Sequence, residues 1–276
     1  MPSNRRRLRS QRRRYKDRRR SEVRQDINGN FGGLEMKCRY EKNYTVGPSD
    51  CDHTSRMGMP ATFEAFMDIA SEHAESLNIG VTFMKETGLF WLTAKTRVRF
   101  YRNPRMEQNI VIETWPLRPR GIQEIRDYRI RSESGEILAE GKTQWAMLDT
   151  RSGELIRMEE LFPEDFEFAE EKVLDDPFLR VRDDVSDCEE FGSYTVRSVD
   201  IDLGGHMNNS AYVRALFGAF STAELDAMKI KDCEVSFKKT CYEGDVLRFF
   251  KRTTDKGTEV VVKNNSETAI IAVFRK

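Results

Sequence analysis

A chain of 276 residues with 38% hydrophobic and 10% aromatic side chains holds enough apolar material for two modest cores, which excludes a disordered or fibrous protein. No apolar run approaches the roughly 18 residues of a membrane-spanning helix, and the opening residues lack the apolar stretch of a secretory signal, so an intracellular, cytoplasmic setting is expected. The formal net charge of zero conceals segregation, because residues 1–35 hold twelve Arg or Lys against four acids and the remainder carries the matching acid excess.

An arm so rich in arginine and so poor in apolar side chains cannot offset its ordering entropy by burial, so residues 1–35 are expected to be disordered. It reads as a solvated extension ahead of a start at Met36, a targeting peptide, or a tail that meets polyanions by counterion release. No base-reading motif follows, so nucleic acid is not the expected partner.

Alternation over 38–46 fits a strand, and a polar turn leads to Pro60, a residue suited to a helix start. Phe63, Phe66, Met67, Ala70, Ala74 and Leu77 then recur at helical spacing, predicting one amphipathic helix of about five turns that Asn78-Ile79-Gly80 closes. Strand-like runs follow at 89–102, 108–116, 122–132 and 137–148, with turn residues between them, as antiparallel hairpins require. A strand, a long helix and several antiparallel strands make an α+β unit in which a sheet wraps a helix. In the run 89–102, Lys95, Arg97 and Arg99 share one face. That face is either a half-exposed strand surface or a docking stripe for an acidic partner, which Arg118, Arg120, Lys238 and Lys239 could extend. Residues 159–190, with fourteen acids, three bases, Pro163 and Pro177, read as an acidic surface linker.

The chain then repeats itself. Tyr44-Thr45-Val46 followed by Asp50 and Asp52 recurs 150 residues later as Tyr194-Thr195-Val196 followed by Asp200 and Asp202. The same offset pairs Met57 with Met207 and Ala61 with Ala211, and sets the first helical stripe against Val213, Leu216, Phe217 and Phe220. A second unit is therefore predicted, with a strand at 193–202, a helix at 209–228 and strands at 233–241, 245–253, 258–264 and 269–275. The expected organisation is the arm at 1–35, a first unit at 36–158, the linker at 159–190 and a second unit at 191–276. Such a chain is its own pseudo-dimer, so a monomer or a homodimer is expected.

The two copies differ where chemistry would sit. The first reads His53-Thr54-Ser55-Arg56, the second Leu203-Gly204-Gly205-His206-Met207-Asn208-Asn209. An imidazole beside Asp202 can act as a general base, the glycines let backbone approach a ligand, and Asn208 or Asn209 can cap a helix whose first amides suit an oxyanion. Five cysteines without a C-x-x-C pair argue for a reducing compartment, and three histidines without ligand spacing argue for no metal.

The segment Asp200 to Tyr212 resembles the active-site string of acyl-acyl carrier protein thioesterases, close to D-x-D-x-N-x-H-x-N-N-x-x-Y, and the resemblance runs over 36–276. It implies a tandem hotdog fold whose C-terminal half is catalytic and whose N-terminal half holds the acyl pocket. The implied activity is hydrolysis of the thioester of fatty acyl-acyl carrier protein, with the carrier protein as partner and no cofactor. The family's catalytic Asp and His fall on Asp202 and His206, with Asn208 beside them. Its Asn two residues after the Asp falls on Gly204, and a downstream Glu-Cys falls on Thr240 and Cys241. A Cys241 thiolate near His206 would be a nucleophile by its chemistry, but water is preferred, and Glu243 or Asn208 could stand in for the missing polar groups. Phe63, Phe66, Met67, Phe90, Trp91 and Leu92 are candidates for the acyl pocket, although ordinary core packing would also explain each. A non-hydrolytic acyl-binding regulator, an acyl-CoA thioesterase and a hydratase of related fold remain alternatives.

Overall fold

The computed structural model describes residues 38–162 and 165–276, so the arginine-rich arm lies outside the described residues. The first half contains β1 (Tyr40–Thr45), α1 (Met59–Ser76), α2 (Val81–Thr87), β2 (Leu89–Phe100), β3 (Asn109–Pro116), β4 (Glu124–Ser132), β5 (Ile137–Asp149) and the short β6 (Glu154–Leu155). The second contains β7 (Glu189–Thr195), α3 (Asn209–Gly218), α4 (Thr222–Met228), β8 (Asp232–Phe237), β9 (Val246–Thr254), β10 (Gly257–Asn264) and β11 (Glu267–Arg275). All eleven strands form one antiparallel sheet in the order β1-β3-β4-β5-β2-β8-β11-β10-β9-β7, with β6 on β5. Read from its outer edge inward, each half repeats the same strand order, and the halves meet at β2 and β8. This is the α+β tandem hotdog that the resemblance implies.

The repeat also holds at the level of single hydrogen bonds. Tyr44 and Tyr194 each donate a hydroxyl at 2.8 Å to the carboxylates of Asp50 and Asp200. The Gly47 and Arg197 amides donate to the same carboxylates at 2.7 and 2.8 Å, fixing both turns that lead into α1 and α3. The helices lie against the sheet because α1 buries Phe63, Phe66, Ile69, Ala70 and Ala74 on one face.

Several expected boundaries move. After α1 the chain does not simply stop; Gly80 starts a further helix, α2, whose Phe83 is buried with Leu77, Ile79, Leu89 and Met147. The single helix expected over 209–228 is two, because Ser221 accepts from the Glu224 amide and Glu224 accepts from the Ser221 amide, a capping box that begins α4 afresh. The strands expected to reach 202 and 241 end at Thr195 and Phe237, and the freed chain bends into the loops around Asp202 and Cys241.

Residues 166–188 contain no helix or strand and run along the face of the sheet opposite the helices. They are held by side chains of that face: Asp127 accepts from the Val173 amide, Lys142 donates to the Leu174 carbonyl, and Arg252 donates to the carbonyls of Asp184 and Arg182.

The stripe expected along 89–102 divides in this arrangement. Register places Arg97 opposite Glu234 and Arg99 opposite Asp232 across the β2–β8 join. Arg97, only 2% exposed, donates to Asp232 at 2.9 Å and to Asp176 at 3.2 Å, Arg99 donates to Asp232 at 2.8 Å, and Lys95 donates to the Leu179 carbonyl at 3.2 Å. Arg97 is thus buried between the halves and cannot meet a partner, Arg99 is partly exposed, and Lys95 lines a groove together with Arg118 and Arg120. No described helix is long and apolar enough to cross a membrane.

Candidate active site

The second-half turn is built by backbone first. Asp202 N donates to His206 O at 3.0 Å, Asn208 N donates to Asp200 O at 2.8 Å, and Met207 N donates to Cys241 O at 2.8 Å. Gly205, at φ 75°, takes the left-handed conformation that closes the turn and that a side chain would strain. The result brings Asp202 and His206 together: Oδ1 of the carboxylate lies 3.7 Å from Nδ1 of the ring, with the two side chains 27% and 22% exposed. Among the described residues His206 Nδ1 is shielded and has no hydrogen-bond partner, so a small ring rotation toward Asp202 would complete the pair. Asp202 Oδ1 is held in place by the Gly204 amide at 2.8 Å.

The first-half counterpart has the same frame and different chemistry. Asp52 N donates to Arg56 O at 2.9 Å, as Asp202 does to His206, but Asp52 is taken by the Thr54 amide and hydroxyl at 2.8 and 2.6 Å. Arg56 stands where the imidazole is and donates to the Asn103 carbonyl at 3.3 Å. His53 points elsewhere, 3.3 Å from Asp226 on α4.

Asn208 is the cap of α3, its side-chain oxygen accepting from the Ser210 amide at 2.7 Å, and Asn209 opens the helix. Thr240 and Glu243 lie exposed in the loop after β8, and no hydrogen bond or ion pair among the described residues joins either to Asp202 or His206. Cys241 is fully buried, with Asn264 Nδ2 donating to its sulfur at 3.5 Å, and burial pushes its thiol above the usual range despite opposing help from Tyr212 and Asn264. A thiol so placed is poorly suited to form the thiolate that nucleophilic attack requires.

The acyl-pocket candidates divide. Phe63 and Phe66 are packed in the core, 2% and 0% exposed, with Phe66 stacked on Tyr128 at 4.5 Å, and neither lines the cavity between α1, α2 and the sheet. Met67 and Trp91 do line a cavity of about 150 Å³ between α1, α2 and the sheet, together with Ala70, Ala74, Met84 and Trp145. Phe90, on β2, lies against the second-half turn, its ring edge-on to His206 at 5.8 Å and 82°. Leu92 is half-buried on the same face of β2 as Phe90. Sequence reasoning missed Arg126, whose guanidinium also lines the cavity. It also missed why Gly204 is glycine: a Cβ there would lie 2.8 Å from Phe90 Cζ and 2.8 Å from His206 Nε2. Among the described residues no three His, Cys, Asp or Glu side chains converge as metal ligands do.

Comparison with known proteins agrees with this architecture. The family model for the acyl-ACP thioesterase N-terminal domain matches residues 37–166, and that for the C-terminal domain matches residues 184–273. Oleoyl-acyl carrier protein thioesterase 1, chloroplastic, of Arabidopsis thaliana is 20% identical over 246 residues, covering 83% of this chain and 67% of its own. The dodecanoyl-[acyl-carrier-protein] hydrolase, chloroplastic, of Umbellularia californica is 24% identical over 75% of this chain, which spans only 56% of that protein's length. Among solved structures, an acyl-ACP thioesterase from Bacteroides thetaiotaomicron shares the fold at TM-score 0.72 and 18% identity, over 86% of this chain and 98% of that one. The 12:0-ACP thioesterase from Umbellularia californica does so at TM-score 0.72 and 19% identity, over 88% and 98%. Because the two family models together cover most of its length, the chain belongs to the acyl-ACP thioesterase family.

Proposed function

We propose that this protein hydrolyses the thioester between a fatty acyl chain and acyl carrier protein, releasing free fatty acid and holo carrier protein. The observation that carries the reading is the approach of Asp202 to His206 at the mouth of α3, beside Phe90 of the other half. In this reading Asp202 orients the imidazole, whose other nitrogen takes a proton from water. The water oxygen attacks the carbonyl carbon, and the electron pair moves to the carbonyl oxygen. Asn208 occupies the Ser210 amide, which leaves the Asn209 amide at the helix start to stabilise that oxyanion. Collapse breaks the C–S bond, and the imidazolium returns the proton to the departing thiolate. The thioester is electrophilic enough that positioning, a base and an oxyanion site suffice.

The carrier protein, an acidic partner, would dock on the groove bounded by Arg118, Arg120, Lys172 and Arg180, none of which is ion-paired among the described residues. Of the β2 stripe, Lys95 lines this groove as well, while Arg97 is buried at the join of the halves. The test is thiol release from long-chain acyl-acyl carrier protein by wild type, His206→Ala and Asp202→Asn. Release by wild type and a loss of at least about 100-fold in His206→Ala are expected. Absence of wild-type release above buffer, with retained acyl binding, would make the protein an acyl-binding regulator instead.

A further inference from the structure

The three most exposed large apolar side chains among the described residues, Val199 at 84%, Leu203 at 68% and Tyr242 at 56%, lie on the loops that build the second-half turn. Val246, at 50%, adjoins them. Val199 sits in the single turn Ser198–Asp200, and Leu203 stands between Asp202 and Gly204. Tyr242 follows Cys241, whose carbonyl accepts from the Met207 amide, and Val246 pairs in the sheet with Thr195. The Val196 amide donates to the Asp245 carbonyl at 2.9 Å and the Gly244 amide to the Val196 carbonyl at 3.0 Å, so backbone bonds tie these loops into one rim. The first half supplies the comparison. Its Val46 amide donates to the Gln108 carbonyl at 3.0 Å and its Glu107 amide to the Val46 carbonyl at 2.8 Å, and Thr45 pairs with Asn109 as Thr195 does with Val246. On that shared frame Ser49, His53, Arg105 and Asn109 occupy the positions of Val199, Leu203, Tyr242 and Val246, and all four are exposed as well. Gly47 occupies the position of Arg197, while Met106 against Glu243 runs the other way, at 38% exposure.

The frame therefore dictates exposure at these positions but not apolar chemistry. Apolar side chains left in water add nothing to folding, and clusters of them mark surfaces that a partner covers. Here the cluster lies in the half that holds the imidazole and not at its counterpart, so its partner is one that comes to that half. In the acyl-carrier reading of the site, that partner is the protein that delivers the thioester. The rim also continues from the groove proposed for it: Ser236 pairs with Lys95 of the groove, and the chain then leads from β8 through Lys238 and Lys239 to Tyr242. Arg197 and Lys238, exposed and without an ion pair among the described residues, give the rim the charge that suits an acidic protein. We infer that Val199, Leu203 and Tyr242 form an apolar contact for acyl carrier protein, which holds the carrier over the turn of Asp202 and His206 once the cations of the groove have steered it there. The inference rests on carrier protein as the bearer of the substrate but not on hydrolysis.

The test titrates into the whole protein an acyl carrier protein whose fatty chain is held by an amide, a bond that resists hydrolysis. Val199→Ser/Tyr242→Ser gives both positions polar side chains, as the first half has at its counterparts, and neither residue belongs to the pair of Asp202 and His206. The variant is expected to bind at least about tenfold more weakly and to keep that loss at about 1 M salt, where charge pairing is screened within roughly 3 Å and apolar contact is not. Its urea midpoint and its turnover of the matching coenzyme A ester should equal those of wild type. Unchanged affinity, a loss that vanishes at high salt, or an equal loss with both esters overturns the inference. So does sedimentation of wild type with phosphatidylcholine vesicles that the variant loses while its carrier affinity is kept, which would make the rim a lipid contact. Carrier binding that depends on the rim, with no thiol release from acyl-acyl carrier protein, would sink the hydrolase reading and leave this one standing. Release by wild type, with neither binding nor KM changed in the variant, would do the reverse.

Discussion

Arg214 Nη1 lies 2.8 Å from Glu64 Oε1, and the two residues are 150 positions apart, the offset of the repeat itself. Each is therefore the counterpart of the other, and their contact lies on the pseudo-twofold axis between the halves. In a homodimer a residue on the axis meets an identical residue, so a charge there meets its like. Duplication within one chain removes that restriction. The same release operates at the join of the sheet. Met57 and Met207 donate to the carbonyls of Pro104 and Cys241, which makes those two counterparts, and at the same spacing Arg97 corresponds to Glu234. Register sets Arg97 directly against Glu234, so one copy of the strand became basic and the other acidic.

Burial decides which of these contacts matters. Glu64 and Arg214 are 50% and 45% exposed, and either alanine variant should cost under about 1 kcal/mol in urea unfolding. Asp232 is 6% exposed and shared by Arg97, Arg99 and Arg275, so Asp232→Asn should cost roughly 3–5 kcal/mol. Burial alone would raise the Asp232 carboxyl, but Arg97 and Arg275 outweigh it and hold the group below its ordinary range. A depressed folded value means the stabilisation is present above the unfolded value and lost as pH falls through the folded one. The gap between wild type and Asp232→Asn should therefore be full at pH 7 and close as pH drops below about 4.

Gly204 and Phe90 form a second co-adapted pair, this time across the active site. Where the family motif has Asn, this chain has no room for one, because the ring of Phe90 and His206 Nε2 occupy the space. Gly204→Asn alone should push the imidazole away from Asp202 and lower thiol release by at least about tenfold. Phe90→Ala in the same chain should recover most of that loss, giving a coupling energy of about 1 kcal/mol or more in a double-mutant cycle. Additive losses would mean that the two side chains do not share the space.

For Cys241→Ala the expectation is thiol release at the wild-type rate, with no acylated cysteine trapped from wild type by acid quench. The cost should fall on stability alone, about 1 kcal/mol, because the sulfur lies in the core where only packing is lost.

The repeat and the turn that joins Asp202 to His206 were legible because their residues act locally. Tyr44, Asp50, Tyr194 and Asp200 brace turns only six residues long, so both partners of each bond stand in one short stretch of sequence. The break before α4 was also written locally, in Ser221 and Glu224, but the apolar spacing carries on through Leu225 and Met228 and outweighs a cap when the pattern alone is read. The Lys95, Arg97 and Arg99 face was legible only in part, for the opposite reason. Its partners are Asp176, Asp232 and Glu234, far along the chain, and a period-two pattern says which residues share a face but not what covers it. The matching of Val246 to Asn109 needs the register of four strands and could not be seen before the sheet was assembled.

Asp127 supplies a pH signature of the segment that crosses the sheet. Burial raises its carboxyl to about 7, with the Val173 amide and Lys142 opposing only in part. For an acid whose folded value is raised, the stabilisation is full below the unfolded value and is lost as pH climbs through the folded one. Stability should thus fall by roughly 3 kcal/mol between pH 5 and pH 8 from this group. Asp127→Asn keeps an acceptor for Val173 and removes the charge, so its melting temperature should exceed that of wild type at pH 8, and the gap should narrow as pH falls and close only below about 4, the unfolded value. A wild-type curve that is flat over this range would contradict the assignment.

The groove bounded by Arg118, Arg120, Lys172 and Arg180 should matter only when the acyl chain is delivered by a protein. Arg118 is already anchored, its guanidinium stacked 4.9 Å from the Phe168 ring, so reversing it removes a fixed charge and not a mobile one. In the double variant Arg118→Glu/Arg180→Glu, KM for acyl-acyl carrier protein should rise about tenfold with kcat unchanged, since docking charges act on encounter and binding and not on the bond broken. The same variant should hydrolyse the matching coenzyme A ester at the wild-type rate. Raising ionic strength should weaken wild type toward the variant for the protein-linked substrate, because an exposed charge pairing is screened within about 10 Å at 0.1 M salt. If both esters lose activity together, the two arginines support the fold or the chamber, and carrier recognition belongs to another face of the protein.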